Sequence, residues 1–309
     1  MLSGGASSAL FAKKEAKVKT NISKYFCMIF FFKNKIFKDI KQKSYFRVKN
    51  IQMLIDSHTH LYLENFGSEK HDVIRRAIDA GVNLMILPAI KSSEIAHQQE
   101  LASAFSEHIL LSAGLHPSDV KADFEAELAR VEAELMTGKY IAVGECGIDL
   151  YWDKTYFEEQ KIAFERQISL AKRFDLPLII HAREAFSEIF EILDKHIDDT
   201  LRGVFHSFTG GVSEVHKILE YKTFCFGING IVTFKNSGLD KVVKEIPPEK
   251  ILLETDAPFL APVPQRGKRN ESAYLVHIAQ KVAEIYGTSY EEIAKITTSN
   301  TEKLFRLNS

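Results

Sequence analysis

A parallel (β/α)8 TIM-type barrel behind a basic N-terminal extension is the architecture this sequence predicts. From Met53 onward, apolar runs of strand length recur eight times, at 54–57, 82–88, 109–113, 140–144, 176–180, 203–205, 224–228 and 251–254. They are apolar at nearly every position, the mark of strands covered on both faces. Helical patterns fill the intervals, and eight strands alternating with helices over roughly 250 residues is the span of one such barrel. An open doubly wound sheet competes, but no glycine-rich phosphate loop follows the first run.

Residues 1–52 stand apart. They carry 12 Lys and Arg against Glu15 and Asp39, a formal +10, whereas the remaining 28 basic and 39 acidic residues leave 53–309 at −11. A basic stretch before the apolar run 25–32 has the outline of a signal peptide, but Lys33-Asn34-Lys35 follows at once with no small-residue cleavage site. A transit peptide would favour arginine over this lysine excess. A basic, aromatic arm for nucleic acid is a third reading. We read 1–52 as a dispensable, disordered extension and 53–309 as the working domain.

Within that domain the helices follow from their stripes. Val73, Ile74, Ala77 and Ile78 recur at helical spacing before Gly81, a C-terminal stop. Phe157, Phe164, Ile168 and Ala171 share one face before Pro177 opens the fifth strand. Leu275, Ile278, Ala279, Val282 and Ile285 form a stripe that ends at Gly287. Cys27, Cys146 and Cys225 are odd in number and at no metal-ligand spacing, which points to a reducing, cytoplasmic setting. No run is long and apolar enough to span a bilayer, and a monomer is expected.

In a barrel of this kind the active site is built at the C-terminal ends of the strands. Those ends carry His58 and His60, then His116, Glu145, His181, His206 and, after the eighth strand, Asp256. The other six histidines (His71, His97, His108, His196, His216 and His277) fall in helical or loop contexts and read as surface residues. Four histidines and two carboxylates can hold two divalent ions if one carboxylate bridges them. Glu145, on a central strand, is the natural bridge; His58, His60 and Asp256 complete one shell, and His181 and His206 the other. Open positions for water mark a catalytic rather than a structural site. Imidazole-rich ligation favours zinc, manganese, nickel or iron, with magnesium left open by availability. Each residue taken singly has a structural alternative, such as a buried ion pair or a satisfied core histidine. Six of them in barrel order do not share one. Arg183, two residues after His181, offers a fork to phosphate or else forms a rim salt bridge, and His116 is placed to donate to the same anion.

These residues resemble the TatD-related family of metal-dependent hydrolases, within the amidohydrolase superfamily. The resemblance covers essentially all of 53–309 and rests on D-S-H-T-H-L at 56–61, G-L-H-P at 114–117, G-E-C-G-I-D at 144–149, H-A-R-E-A at 181–185, H-S-F-T-G at 206–210 and E-T-D-A-P-F-L-A-P at 254–262. It implies metal ligands at His58, His60, Glu145, His181, His206 and Asp256, and 3′→5′ exonuclease action on DNA. Ser272 stands where the family has proline after Arg269-Asn270-Glu271, a departure expected to touch no ligand. The extension 1–52 has no counterpart in the family pattern.

The activity expected is therefore two-metal phosphodiester hydrolysis, with Asp256 orienting the water and taking its proton. The net-negative domain disfavours long duplex contacts, so DNA ends or short single strands are the expected substrate. Phe208, just after His206, either stacks a terminal base or packs the rim. The competing chemistry is C–N or acyl hydrolysis, including acyl-tRNA deacylation. The lysine that bridges metals in many amidases has no equivalent in 140–149, where Glu145 takes the bridging place. A barrel serving as a scaffold without turnover would leave six polar groups at a cost in stability. A chain beginning at Met53 is expected to match the full-length protein in melting temperature and turnover. Aggregation or loss of most activity on truncation would show that 1–52 belongs to the fold.

Overall fold

The computed structural model describes residues 53–307, so the reading of 1–52 and Cys27 lies outside the described residues. Eight parallel strands run in sequential order around one sheet: β1 (Leu54–Asp56), β2 (Val82–Pro88), β3 (Ile109–Ala113), β4 (Tyr140–Asp149), β5 (Leu178–Arg183), β6 (Gly203–Phe205), β7 (Phe224–Ile228) and β8 (Ile251–Leu253). Ser57 N–H donates to Leu253 O at 3.0 Å, which joins the two ends of the sheet and closes the barrel. A helix follows every strand: α1 (Lys70–Asp79), α2 (Ile95–Ala104), α3 (Phe124–Met136), α4 (Phe157–Phe174), α5 (Phe186–His196), α6 (Val212–Glu220), the short α7 (Leu239–Val243) and α8 (Leu275–Tyr286), with α9 (Tyr290–Phe305) completing the domain. Among the described residues no helix is long and apolar enough to cross a membrane.

The core has two parts, as continuous apolar strands require. Alternate residues of the strands pack outward on the helices, among them Leu178, Ile180 and Phe205. The intervening ones, Ile86, Ala142, Ile179, Val204, Cys225 and Leu252, fill the barrel itself, where Leu304 and Phe305 of α9 pack against them. This alternation positions the site. On β5, Ile179 points inward, so His181 does too; on β6, Val204 is followed at the same parity by His206. Cys146 and Cys225 are buried and unpaired.

Two strands run well past their expected ends, and β1 and β8 stop one residue short of theirs. β4 continues five residues beyond 144 and β5 three beyond 180, because the two pair past the rim, with Gly147, Ile148 and Asp149 opposite His181, Ala182 and Arg183. Gly147 permits this approach: a Cβ there would meet His181 O at 2.0 Å, and its φ of +142° suits glycine alone. At the other limit, β1 stops at Asp56, short of the two histidines. Beyond it the chain is held on both sides, with Thr59 N–H donating to Ile86 O and Asp256 N–H to His58 O.

Below the barrel, Asp175 caps α4 in the left-handed conformation at φ +53°. Its carboxylate accepts from buried Arg202 at 2.7 Å and pairs with Arg306 just after α9. Burial alone would raise the Asp175 carboxyl, but Arg202 and Arg306 hold it below the usual carboxylate range. A depressed carboxylate adds stability above its unfolded pKa, and that contribution disappears as pH falls through the folded value. Asp175→Asn keeps the backbone conformation and is expected to lower unfolding free energy at pH 7 by about 1–2 kcal/mol. Urea denaturation at pH 7 and below about pH 4 should find the difference from wild type large in the first case and reduced in the second.

Candidate metal centre and active site

Glu145 occupies the middle of the barrel mouth. It is 3% exposed, and its two carboxylate oxygens face different groups of imidazoles. Oε2 lies 3.1 Å from His58 Nε2 and 3.6 Å from His60 Nε2. Oε1 lies 2.9 Å from His181 Nδ1, 3.3 Å from His116 Nε2 and 3.7 Å from His206 Nε2. Asp256 Oδ1 stands between the groups, 3.5 Å from His60 Nε2 and 3.8 Å from His206 Nε2. The backbone is turned tightly at this end: Asp256 and Ser207, next to His206, have φ of +56° and +48°.

The polarity of each ring follows from what holds its far nitrogen. Tyr62 Oη donates to Pro88 O at 2.7 Å, so at 3.0 Å it accepts from His60 Nδ1–H, and the His60 Nε2 lone pair is left facing the site. His181 Nε2 donates to Asp149 Oδ2 at 2.8 Å, which leaves its Nδ1 facing Glu145. His206 Nδ1 lies 2.9 Å from Glu254 Oε1, an ion-pair contact rather than an aligned hydrogen bond, and its Nε2 faces inward. His116 is the reverse. Its Nδ1 accepts from Ser118 N–H at 3.1 Å, so its Nε2 carries the proton and points into the site as a donor.

Metal ions fit this donor set. His58 and His60 bring their Nε2 atoms to 3.0 Å of each other and both against a carboxylate oxygen, a convergence of acceptors that needs positive charge among them. His58, His60 and Glu145 make one such group; across the site Glu145 also meets His181, while His116 beside them presents its Nε2–H as a donor.

A family model described as TatD related DNase matches residues 55–306. The chain belongs to that family. It is 39% identical over 257 residues to the uncharacterized metal-dependent hydrolase YabD of Bacillus subtilis, covering 83% of this chain and all of that protein. It is 33% identical over 261 residues to the 3′-5′ ssDNA/RNA exonuclease TatD of Pantoea vagans, covering 82% of this chain and all of that one. The crystal structure of YJJV, a TatD homolog from Escherichia coli, superposes with a TM-score of 0.77 at 29% identity over 83% of this chain and 99% of that chain. This TatD-family chain is a metal-dependent hydrolase.

The electrostatics of its site are those of a cation pocket. Burial opposes charge on Glu145, yet the imidazoles of His116, His58 and His206 hold its carboxyl well below the ordinary range. Burial, reinforced by His206, pushes His58 down to about 4, the neutral form a metal ligand needs. Against the same burial, Glu254, Glu145 and Asp256 raise His206 to about 10, so protons supply the positive charge that the carboxylates demand.

Three contributors were missed in the sequence: Tyr62, Asp149 and Glu254. Each holds the outer nitrogen of an inward-facing histidine and so fixes the ring. Asp149 and Glu254 lie inside the motifs that define the family, and Tyr62 follows His60 by two residues. Asp56, at the start of the first motif, ties the barrel ends instead, accepting from Thr255 N–H at 2.9 Å and from the Thr255 hydroxyl at 2.6 Å. Ser272 touches no ligand ring, but its hydroxyl lies 3.2 Å from that of Thr59, between the two paired histidines.

The expectation that Phe208 stacks a substrate base is corrected. Phe208 is 2% exposed and packs edge-on against Phe186 and Phe226, so no base reaches its face. Arg183 is exposed at the rim and has no carboxylate partner among the described residues; its guanidinium lies 3.9 Å over the ring of Tyr151.

Glu145→Ala removes both oxygens from the middle of the site and is expected to lower bound metal per chain, whereas Asp256→Asn should retain at least one ion. Asp149→Asn should weaken metal affinity about 10–100-fold by freeing the His181 ring. Elemental analysis after dialysis against metal buffers checks all three, and full metal content in Glu145→Ala would remove Glu145 from the bridge.

Proposed function

We propose that this protein is a two-metal phosphodiesterase that removes nucleotides from the 3′ ends of DNA, with single strands as its substrate. The observation that carries this reading is the division of Glu145 between two imidazole groups, Oε2 toward His58 and His60 and Oε1 toward His181 and His206. A carboxylate shared in this way suits a pair of divalent ions, of which His58, His60 and Asp256 would help hold one and His181 and His206 the other. When bound, such ions polarise a phosphoryl oxygen and lower the pKa of a bound water. The name of the Pantoea relative, a 3′-5′ ssDNA/RNA exonuclease, supports the substrate class and polarity.

The chain's own groups divide the remaining work. Asp256 is the more open of the two carboxylates, at 14% side-chain exposure against 3% for Glu145, and takes the proton of the attacking water. His116 presents Nε2–H to a phosphoryl oxygen. Arg183, without a competing carboxylate among the described residues, offers its guanidinium to the same phosphate.

The test uses 3′- and 5′-labelled single-stranded and duplex oligonucleotides with added manganese, magnesium or zinc, beside a panel of amides and acyl-tRNA. Stepwise loss of mononucleotides from the 3′ end is expected, abolished by chelator and by His181→Ala. Asp256→Asn should slow this reaction about 10²–10⁴-fold. Turnover of amides or acyl-tRNA with no nucleotide release would overturn the reading, and near-normal turnover in Asp256→Asn would remove Asp256 from the mechanism.

A further inference from the structure

Beyond β4 the chain makes a turn that leaves its two aromatic side chains largely uncovered. Tyr151 is 50% and Trp152 69% exposed, with ring centroids 4.8 Å apart in an edge-to-face arrangement. Asp149 ties this turn down by hydrogen bonds. Its Oδ1 accepts from Tyr151 N–H at 2.9 Å and Trp152 N–H at 3.1 Å, while its Oδ2 accepts from His181 Nε2 at 2.8 Å. One carboxylate thus fixes the aromatic turn with one oxygen and a candidate metal ligand with the other.

Arg183 completes the group. It lies opposite Asp149 in the β4–β5 pairing, and its guanidinium sits 3.9 Å from the Tyr151 ring centroid and 5.1 Å from that of Trp152. An arginine held on aromatic faces keeps its edge N–H groups free for a phosphate. Trp152 also walls a cleft of about 270 Å³, bounded by Pro117, Ser118, Lys121 and Tyr156 and reaching Asp149. That cleft is a poor seat for phosphate, since Asp149 and Asp153 line it and Lys121 is already paired with Asp153 at 3.6 Å. A flat, neutral heterocycle suits it better.

We propose that Trp152, braced edge-to-face by Tyr151, forms a stacking platform for an unpaired nucleobase beside the phosphate to be cleaved, with Arg183 between the base and that phosphate. The platform rests on the phosphodiesterase reading and deepens it. A base within a duplex has both faces covered by its neighbours, so only a frayed or single-stranded end can use an exposed ring of this kind. Selection for single strands then comes from this turn rather than from the metal centre.

Trp152 is the chain's sole tryptophan, so its fluorescence reports the platform directly. The metal-loaded protein is titrated with a phosphorothioate-linked thymidine tetramer that resists hydrolysis, and with the same backbone carrying abasic sites. The thymidine tetramer should quench the emission saturably, and the abasic backbone should bind about 10-fold more weakly or not at all. Tyr151→Ala should weaken the quenching titration several-fold. In kinetics, the ratio of kcat/KM for an oligonucleotide with a normal 3′ base to one with an abasic 3′ end should fall toward one in Trp152→Ala, chiefly through KM. Trp152→Phe, which keeps an aromatic face, should preserve most of that ratio. Cleavage without quenching, with the ratio unchanged in Trp152→Ala, overturns the platform and leaves the phosphodiesterase reading intact. Quenching by the thymidine tetramer without any cleavage supports the platform and overturns that reading. Neither quenching nor cleavage overturns both.

Discussion

A carboxylate sealed at the mouth of an apolar barrel sets the terms for the rest of this molecule. Glu145 cannot be solvated where it lies, and an ion removed from water in a protein interior costs several kcal/mol unless partners surround it. Five imidazoles supply them, brought from β1, β3, β5 and β6 by the closed parallel sheet. Each ring then poses the same problem again, because an imidazole buried against a carboxylate must have its outer nitrogen satisfied. Tyr62, Asp149 and Glu254 stand behind three rings for that reason, and a Ser118 amide stands behind the fourth. Among the described residues His58 Nδ1 has neither a hydrogen-bond nor an ion-pair partner, and its ring stacks on that of His206 with centroids 3.3 Å apart. Compensation for one buried charge therefore reaches outward through two layers of side chains.

How much of this was legible in the sequence depends on which physical signal carried it. The strands showed because a parallel sheet covered on both faces is apolar throughout, and the six ligand candidates showed because chain order in a barrel is also spatial order. Inward parity makes His181 and His206 follow Ile179 and Val204, a pattern any reader can count. The orienting groups did not show. Asp149 and Glu254 are carboxylates beside other carboxylates, and only the bond each makes tells which faces the site. Phe208 misled for a related reason. Two residues after His206 it should share that ring's side, but the positive φ of Ser207 turns the chain and Phe208 N–H donates to Gly227 O instead, putting the ring in the outer core. Alternation is a rule for extended backbone, and it fails where the backbone bends to make the site.

The extension of β4 and β5 was likewise hidden, because a strand that outgrows the barrel no longer needs an apolar pattern. Apart from Ile148, the added residues are polar or small, and the pairing depends on glycine at 147, where any side chain would strike the backbone of His181. Yet this overhang lifts Asp149, the aromatic turn and Arg183 above the rim. The barrel fixes the candidate metal ligands, and the overhang fixes what stands over them.

Charge explains why the two must act together. The domain from 53 onward carries a formal −11, and a surface of that sign repels a polyanion beyond the reach of local contacts, with salt screening the repulsion over about 8–10 Å. On the proposed reading, attraction would be confined to the mouth, where bound cations and Arg183 would face the phosphate. Lys121 adds little, being paired with Asp153. A substrate held by one or two phosphates gains little of the counterion release that drives duplex binding, so its remaining affinity has to come from uncharged contacts. The exposed aromatic rings of Tyr151 and Trp152 would provide such contacts without adding positive charge. Asp149, bonded at once to His181 and to the backbone of Tyr151 and Trp152, ties the aromatic turn to the ring of His181. In this barrel the carboxylate that orients a candidate metal ligand also orients the exposed aromatic turn above it.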